Sequence, residues 1–277
     1  MTTLVVSPHL DDAVLSLPGC IRTLALRGER VVVLTVCSEG DVGHATRRAE
    51  DLAALALLGA VPLQLGLRDA PQRRSITPSF RELVLRELTD DDIDAATVTR
   101  ALALAIAEVG PSTTLLPLGV GEHIDHRIVH AAHTGLAGRV GFYEDRPYAL
   151  IQHAVRARQL RLGAVVDGAA VTPCPAAVDE FLAAARVAPH IHAYLAADER
   201  EDCLARLAAT LTRASPPSGL ALRSERLRFT PAVRSDAARA VQAYASQLAD
   251  LFGADDITAR FAEPYAERIY WRADGPD

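Results

Sequence analysis

Short runs of apolar residues alternate with helix-like segments through the first half of this 277-residue chain. The runs are aliphatic and β-branched throughout, which is typical of strands buried on both faces of a sheet. The predicted strands cover residues 3–7, 31–37, 61–65 and 114–118. The predicted helices cover residues 11–26, 47–58, 94–109 and 127–136. This alternation predicts an α/β fold with a mostly parallel sheet flanked by helices.

The pattern changes after about residue 175, where helical segments follow one another without strands between them. We expect helices at residues 177–188, 196–213 and 232–252, and a terminal strand or extended tail at 267–271. No linker-like composition separates the two parts. The chain is therefore expected to form one domain over residues 1–277, with an α/β core over about 1–175 and a helical C-terminal portion over about 176–277.

Composition excludes several classes of protein. The net charge of −6 gives no support for nucleic-acid binding, and the longest apolar runs are too short to cross a membrane. No leader segment is recognisable, so a cytoplasmic location without a membrane partner is expected. The four cysteines are scattered and form no CxxC pair, which argues against a disulfide framework. Residues 7–17 contain no glycine, which argues against a dinucleotide-binding loop.

Two polar clusters follow predicted strands. SPHLDD at residues 7–12 comes at the end of the first strand, and GEHIDH at residues 121–126 comes shortly after the fourth. Functional groups of open parallel sheets gather beyond the carboxyl ends of the strands. We therefore expect the two clusters to face each other there, although they lie far apart in the sequence.

The residue types in these clusters suit a catalytic metal ion, which typically has three His or carboxylate ligands and one open position. The candidate ligands are His9, Asp12 and His126. The residues left over could move protons, stabilise an oxyanion or orient an imidazole; they are Asp11, His123 and Asp125. Taken alone, each cluster is explained as well by a helix cap or a solvated loop. Their joint placement favours a metal site.

The clusters also resemble the PHxDD and HxDH motifs of the PIG-L/LmbE-like N-acetylglucosaminyl deacetylases. Weaker similarities follow in the order of that family, so that the resemblance covers most of the chain. They are TVCSEG at residues 35–40, Arg47 with Glu50, Leu65-Gly66 with Asp69, YASQ at 244–247 and the closing segment 267–271.

This resemblance implies a Rossmann-like fold, one zinc ion per chain and hydrolysis of an N-acetyl or other N-acyl group. The substrate it implies is an amino sugar or glycoconjugate, in natural-product or thiol metabolism. It assigns the general base to Asp11, an electrostatic or acid role to His123 and an orienting role to Asp125. Iron(II) would accept the same ligands as zinc.

One position departs from the family. Many members continue PHxDD with Glu, where this chain has Ala13. Alanine can neither bind a metal nor contact a polar substrate. The alternative is therefore a non-catalytic protein of the same fold that binds a metal or ligand. The retention of Asp11, which would ligate nothing, speaks against that alternative.

Other polar residues allow more than one interpretation. Arg47 could bind a substrate or pair with Glu50, and the loop that holds Tyr143 and Glu144 could line a substrate pocket or form a surface turn. His130 and His133 lie on the helical face that begins with His126, but recede from the crevice, so structural roles are expected. The acidic run at residues 90–92 is expected to begin a helix.

Overall fold

The computed structural model describes residues 1–40, 43–73, 79–88, 93–194, 197–253, 259, 261 and 265–273. The acidic run at residues 90–92 lies outside this part of the chain. The described strands are β1 Thr2–Ser7, β2 Arg30–Glu39, β3 Val61–Arg68, β4 Thr113–Pro117, β5 Arg139–Tyr143, β6 Val165–Val166, β7 Ala169–Ala170, β8 Ala221–Arg228 and β9 Ala266–Arg272. The described α-helices are α1 Asp12–Ser16, α2 Pro18–Leu26, α3 His44–Leu58, α4 Ile93–Val109, α5 Ile124–Ala131, α6 Ala154–Arg161, α7 Val178–Arg186, α8 Pro189–Tyr194, α9 Ala197–Ala209, α10 Pro231–Gln242 and α11 Ala245–Phe252.

The strands form a single sheet in the order β3-β2-β1-β4-β5-β9-β8-β6-β7. The first five of these are mutually parallel, whereas β9 runs antiparallel to both of its neighbours. The chain winds outward from β1 to β3 and then returns to place β4 on the other side of β1. The order thus reverses between β1 and β4, which opens a crevice beyond their carboxyl ends.

Two apolar clusters cover the two faces of the sheet. Successive side chains of a strand point to opposite faces, so Leu4 and Val6 enter one cluster and Val5 enters the other. Residues of α4 to α7 and α9 cover the first face. Residues of α1 to α3, α10 and α11 cover the second. Burial on both faces explains why the strand sequences are continuously apolar, and the predicted α/β fold class is confirmed.

The helical segments differ from their predicted bounds at two places. The helix expected at residues 11–26 is divided into α1 and α2 at Leu17, because Pro18 lacks the N–H that would continue the first helix. The helix expected at 232–252 is likewise divided at Ala243 and Tyr244.

The C-terminal portion is less helical than predicted, because it contains the strand β8. This strand pairs with β9 over seven residues, from Leu222 opposite Arg272 to Arg228 opposite Ala266. Its sequence, ALRSERLR, is rich in residues that favour helices. Pairing with β9 overrides that local preference. None of the helices in the described ranges is both long and apolar enough to cross a membrane.

The carboxylate of Glu267 joins the last strand to the N-terminal half of the chain. It accepts hydrogen bonds from the backbone N–H groups of Gly19 at 2.7 Å and Cys20 at 2.8 Å, and from the hydroxyl of Tyr265 at 2.6 Å. Gly19 and Cys20 lie in the first turn of α2, where backbone N–H groups have no partner within the helix. Buried Glu267 therefore caps α2 from β9.

We expect Glu267→Gln to lower the free energy of unfolding by about 1–3 kcal/mol, because the amide nitrogen cannot accept and leaves a buried donor unsatisfied. Urea unfolding followed by circular dichroism measures the change. Glu201→Gln is the matched control: Glu201 is exposed and pairs with Arg186 at the surface, so the unfolding midpoint of this variant should stay unchanged. Equal midpoints for both variants would contradict the capping role.

Candidate metal centre

The loops that follow β1 and β4 meet at the crevice and bring three imidazoles together. The ring centroids of His9 and His123 are 5.0 Å apart, those of His9 and His126 are 5.2 Å apart, and those of His123 and His126 are 5.5 Å apart. His9 lies just beyond β1, whereas His123 and His126 lie at and within the first turn of α5. The topology thus produces the expected meeting of the two clusters.

One carboxylate oxygen of Asp12 connects the two loops. Asp12 Oδ2 accepts from the backbone N–H of His9 at 2.8 Å and lies 3.1 Å from His9 Nδ1. The same oxygen lies 3.3 Å from His126 Nε2. Asp12 therefore contacts an imidazole from each cluster, although it belongs to only one of them.

Asp145 fixes the orientation of His126. Asp145 Oδ1 lies 2.6 Å from His126 Nδ1, and Oδ2 accepts from the backbone N–H groups of Gly119 at 2.8 Å and Val120 at 3.0 Å. A carboxylate at this distance places the proton of a neutral imidazole on Nδ1. The lone pair of Nε2 is then directed towards the metal-binding side of the ring.

The donor set fits a divalent transition ion. His126 Nε2 is buried and makes no hydrogen bond to any residue that the structure describes, and the nearby Asp12 Oδ2 is also an acceptor. A carboxylate oxygen and an imidazole nitrogen that face each other in a buried site need a positive charge between them, which a proton or a metal ion can supply. Ligand atoms also lie within 4.8 Å of one another in two further sets that do not include Asp12, His9 with His123 and His126, and His9 with Asp69, His123 and Asp125.

The electrostatics of the cluster also favour a cation. Burial lowers the pKa of His126, but Asp12 and Asp145 raise it to about 9. Burial raises the pKa of Asp12, but His126 and His9 bring it well below its usual range. Burial likewise lowers the pKa of His9, while Asp69, Asp12 and Asp125 raise it well above its usual range. The carboxylates thus stabilise positive charge here, which a metal ion would supply in place of protons.

Asp11 lies at the same pocket but contacts different groups. Its Oδ2 accepts from Arg47 Nη2 at 3.3 Å, and Arg47 Nη1 lies 3.8 Å from Asp69 Oδ2. Burial, together with Asp12 and Asp69, raises the pKa of Asp11, although Arg47 and His9 lower it. A raised pKa is what a general base near a metal site requires.

His123 and Asp125 are linked through the helix terminus that they share. His123 caps α5, and its Nδ1 accepts from the backbone N–H of Asp125 at 3.3 Å. In the neutral ring the proton then lies on Nε2. Burial and the charge of His9 lower the pKa of His123 to about 3, so the ring is neutral at physiological pH.

Asp125 Oδ2 lies 3.0 Å from His9 Nε2 and accepts a hydrogen bond from the backbone N–H of Ala70 at 3.0 Å. This contact orients the His9 ring.

Residues 4–136, which contain both clusters, match the GlcNAc-PI de-N-acetylase family, PIG-L. This segment belongs to the PIG-L family. The resemblance inferred from the PHxDD and HxDH motifs is therefore confirmed.

A 2′-N-acetylparomamine deacetylase of Streptomyces fradiae is similar to this chain, with 34% identity over 171 residues. The match covers 55% of the chain and 60% of the relative, so that it spans less than two thirds of either.

Solved structures of higher coverage are similar to the whole chain. A deacetylase of teicoplanin biosynthesis, in a complex named deacetylase-bog, shares 23% identity with a TM-score of 0.66 and covers 100% of each chain. The zinc-inhibited form of a teicoplanin deacetylase shares 22% identity with a TM-score of 0.63 and the same coverage. At this identity the likeness establishes the fold.

The structure places Tyr143 and Glu144 away from the pocket to which the sequence assigned them. Tyr143 is fully buried on β5, and its hydroxyl donates to the carbonyl of Val6. Glu144 accepts from the hydroxyl of Tyr270 on β9. Contacts with β1 and β9 thus hold the two side chains away from the crevice. The polar loop after β5 contributes other residues instead.

Several residues at the pocket were not predicted as site residues. Asp145, Tyr148 and His190 come from the loop after β5 and from α8, and Gln247 comes from α11. Asp69, at the end of β3, lies 3.2 Å from His9 Nε2. The one available signal was position: Asp69 and Asp145 each follow a strand of the parallel sheet, as His9 does.

Ala13 lies in the apolar cluster on the opposite side of α1 from the imidazoles. Its side chain is buried there, and its N–H donates to Ser7 Oγ at 3.0 Å. Ala13 is not among the residues that line the pocket. The candidate ligands and Asp11 therefore keep their positions without a polar residue at this place.

We expect Asp145→Asn to weaken metal binding about 10- to 100-fold, because the amide no longer fixes the charge and tautomer of His126. Competition against a chromophoric chelator, with zinc and with iron(II), measures the affinity. Glu144→Gln is the matched control, since the neighbouring Glu144 contacts Tyr270 rather than the cluster. Equal affinities for the two variants would contradict the role of Asp145.

Proposed function

We propose that this protein is a metal-dependent hydrolase that removes the N-acetyl group from an amino sugar of a small natural-product molecule. The observation that carries the proposal is the placement of Asp11 beside a buried donor set of two imidazoles and one carboxylate. The PIG-L assignment of residues 4–136 supports the reaction class. The named substrate of the Streptomyces fradiae relative supports the amino-sugar class.

His9, Asp12 and His126 would hold one divalent ion, zinc or iron(II), as both accept imidazole and carboxylate ligands. When bound, such an ion polarises a carbonyl and lowers the pKa of water from 15.7 towards about 7. A zinc-inhibited form exists for a teicoplanin deacetylase of the same fold. Activity should therefore be compared with each ion.

The chain's own residues would divide the proton transfers and charge stabilisation between them. Asp11, held by Arg47 through Oδ2, takes a proton from the attacking water and returns it to the amine nitrogen as the amide C–N bond breaks. His123 keeps its Nε2 proton and donates a hydrogen bond to the oxyanion of the substrate. Because its pKa is about 3, His123 is assigned to the stabilisation of charge rather than to acid catalysis.

The lining of the pocket suits a hydroxylated ring. Arg47, His190 and Gln247 offer polar groups, whereas Tyr148 and Leu251 offer an aromatic and an aliphatic surface. Sugar rings present hydroxyl groups at their edges and C–H groups on their faces, so they match both kinds of surface. Pockets of this composition typically fix orientation through a few polar contacts.

We expect Asp11→Asn to abolish amine release from 2′-N-acetylparomamine while metal binding is retained, because Asp11 is not a proposed ligand. Fluorescent labelling of the new amine measures the reaction, and metal analysis of the same sample measures occupancy. A non-catalytic binder, the alternative that Ala13 raised, would release no amine in either wild type or variant. Loss of metal together with activity would show that Asp11 ligates the ion.

We expect His123→Ala to lower kcat by about 10²- to 10³-fold, the effect of removing one oxyanion donor. Steady-state kinetics on the same substrate measure kcat and KM separately. His153→Asn is the control: His153 is a surface residue with φ 67° that pairs with Glu180, and asparagine tolerates that conformation. A near-wild-type kcat for His123→Ala would contradict the assignment.

A further inference from the structure

A second cavity, of about 630 Å³, lies behind the metal centre and shares no lining residue with its pocket. It is bounded by α5, α6, the segment before β8 and the end of β9. Its lining is strongly cationic and includes Arg127, Arg158, Arg161 and Arg272. In a chain with a net charge of −6, this concentration of guanidinium groups requires an explanation.

Three of these guanidinium groups share one buried carboxylate. Glu122 Oε2 lies 3.0 Å from Arg158 Nη1, 3.3 Å from Arg161 Nε and 3.9 Å from Arg127 Nε. Glu122 itself is not among the residues that line the cavity; the described lining carboxylate is that of Glu87, which lies 2.7 Å from Arg161 Nη2 and has a side chain that is 76% exposed. One buried negative charge therefore faces three positive charges.

One lining residue also carries a buried donor without a hydrogen bond to any described residue, the Nε–H of Arg127. Buried polar groups without partners are costly and usually indicate a bound ion, ligand or water. An anion would give the guanidinium groups the acceptor that Glu122 supplies only in part.

We propose that this cavity binds a phosphate-bearing small molecule. Phosphate oxygens accept several charge-assisted hydrogen bonds at once, and arginine forks match their geometry. A neighbouring open cavity is also lined by Arg161 and Glu87, and it adds Arg213. This neighbouring cavity leaves room for the rest of the molecule. The claim concerns a site other than the metal centre and does not depend on the proposed deacetylase activity.

Residues at this cavity also contact the segment that leads into the metal centre. Arg158 Nε donates to the carbonyl of Leu118 at 2.9 Å, and Glu122 directly precedes His123. The intervening Gly119 donates to Asp145, which orients His126. The segment 118–123 therefore lies between the two sites: Arg158, which lines the cavity, contacts Leu118 and Glu122, while Gly119 contacts the residue that orients His126.

Isothermal titration of chelator-treated full-length protein with inorganic phosphate, glucose 6-phosphate and glucose tests the proposal. Removing metal excludes binding of phosphate at the metal centre. Both phosphate compounds should bind with Kd at or below about 1 mM, and glucose should not bind. Tighter binding of glucose 6-phosphate would show that the sugar contributes, whereas equal affinities would assign recognition to the phosphate alone. Absence of phosphate binding up to about 10 mM would overturn the proposal.

Two variants locate the site. Arg161→Gln should weaken phosphate binding about tenfold, because one guanidinium is lost. Glu87→Gln should strengthen it about three- to tenfold, because it removes a competing charge at an exposed position where folding is not at risk. Arg186→Gln, at an exposed ion pair outside the cavity, is the control and should leave the affinity unchanged. The assignment is overturned if both Arg161→Gln and Glu87→Gln leave the phosphate affinity unchanged. Should Arg161→Gln fail to fold, the increase in affinity expected for Glu87→Gln still decides the test.

Discussion

The candidate site depends on one oxygen atom that two distant loops share. Asp12 Oδ2 contacts the backbone N–H and the ring Nδ1 of His9. The same oxygen also lies beside His126 Nε2. This meeting requires β1 and β4 to be neighbours in the sheet, since each loop directly follows its strand. A sheet in simple sequential order would separate the two loops. The reversal of strand order is thus the structural condition for the chemistry.

Charge balance explains why so many acidic residues can be buried around these imidazoles. Asp125 and Asp145 each contact the ring nitrogen opposite the one that faces Asp12. Backbone N–H groups donate to the remaining oxygen of Asp145, whereas the guanidinium of Arg73 donates to the remaining oxygen of Asp125. Arg47 and Arg73 add positive charge at Asp11 and Asp125. Removing any single partner would leave a buried charge uncompensated. The ligands are therefore held by a shell of contacts that also sets their tautomers.

The sequence predicted the fold class and the meeting of the two motif clusters, because both follow from local patterns. Continuous apolar strands indicate a parallel sheet, and the ends of parallel strands lie at a common edge. It could not predict β8, whose helix-favouring residues form a strand only because β9 pairs with them. It also misplaced Tyr143 and Glu144 and overlooked the role of Asp145 in the same loop. Which residue of a loop faces a site depends on tertiary contacts that spacing does not reveal.

The segment 118–123 shows how a short loop can serve two sites. Gly119 and Gly121 adopt φ values of 84° and 83°, which side chains other than glycine rarely tolerate. Any side chain at Gly119 would meet the guanidinium of Arg158, and any at Gly121 would meet the ring of Tyr148. The loop is thus held between a cationic cavity on one side and the metal pocket on the other. Because Arg158 and Tyr148 both pack closely against its backbone, the loop that leads to His123 and His126 is held in one conformation from both sides.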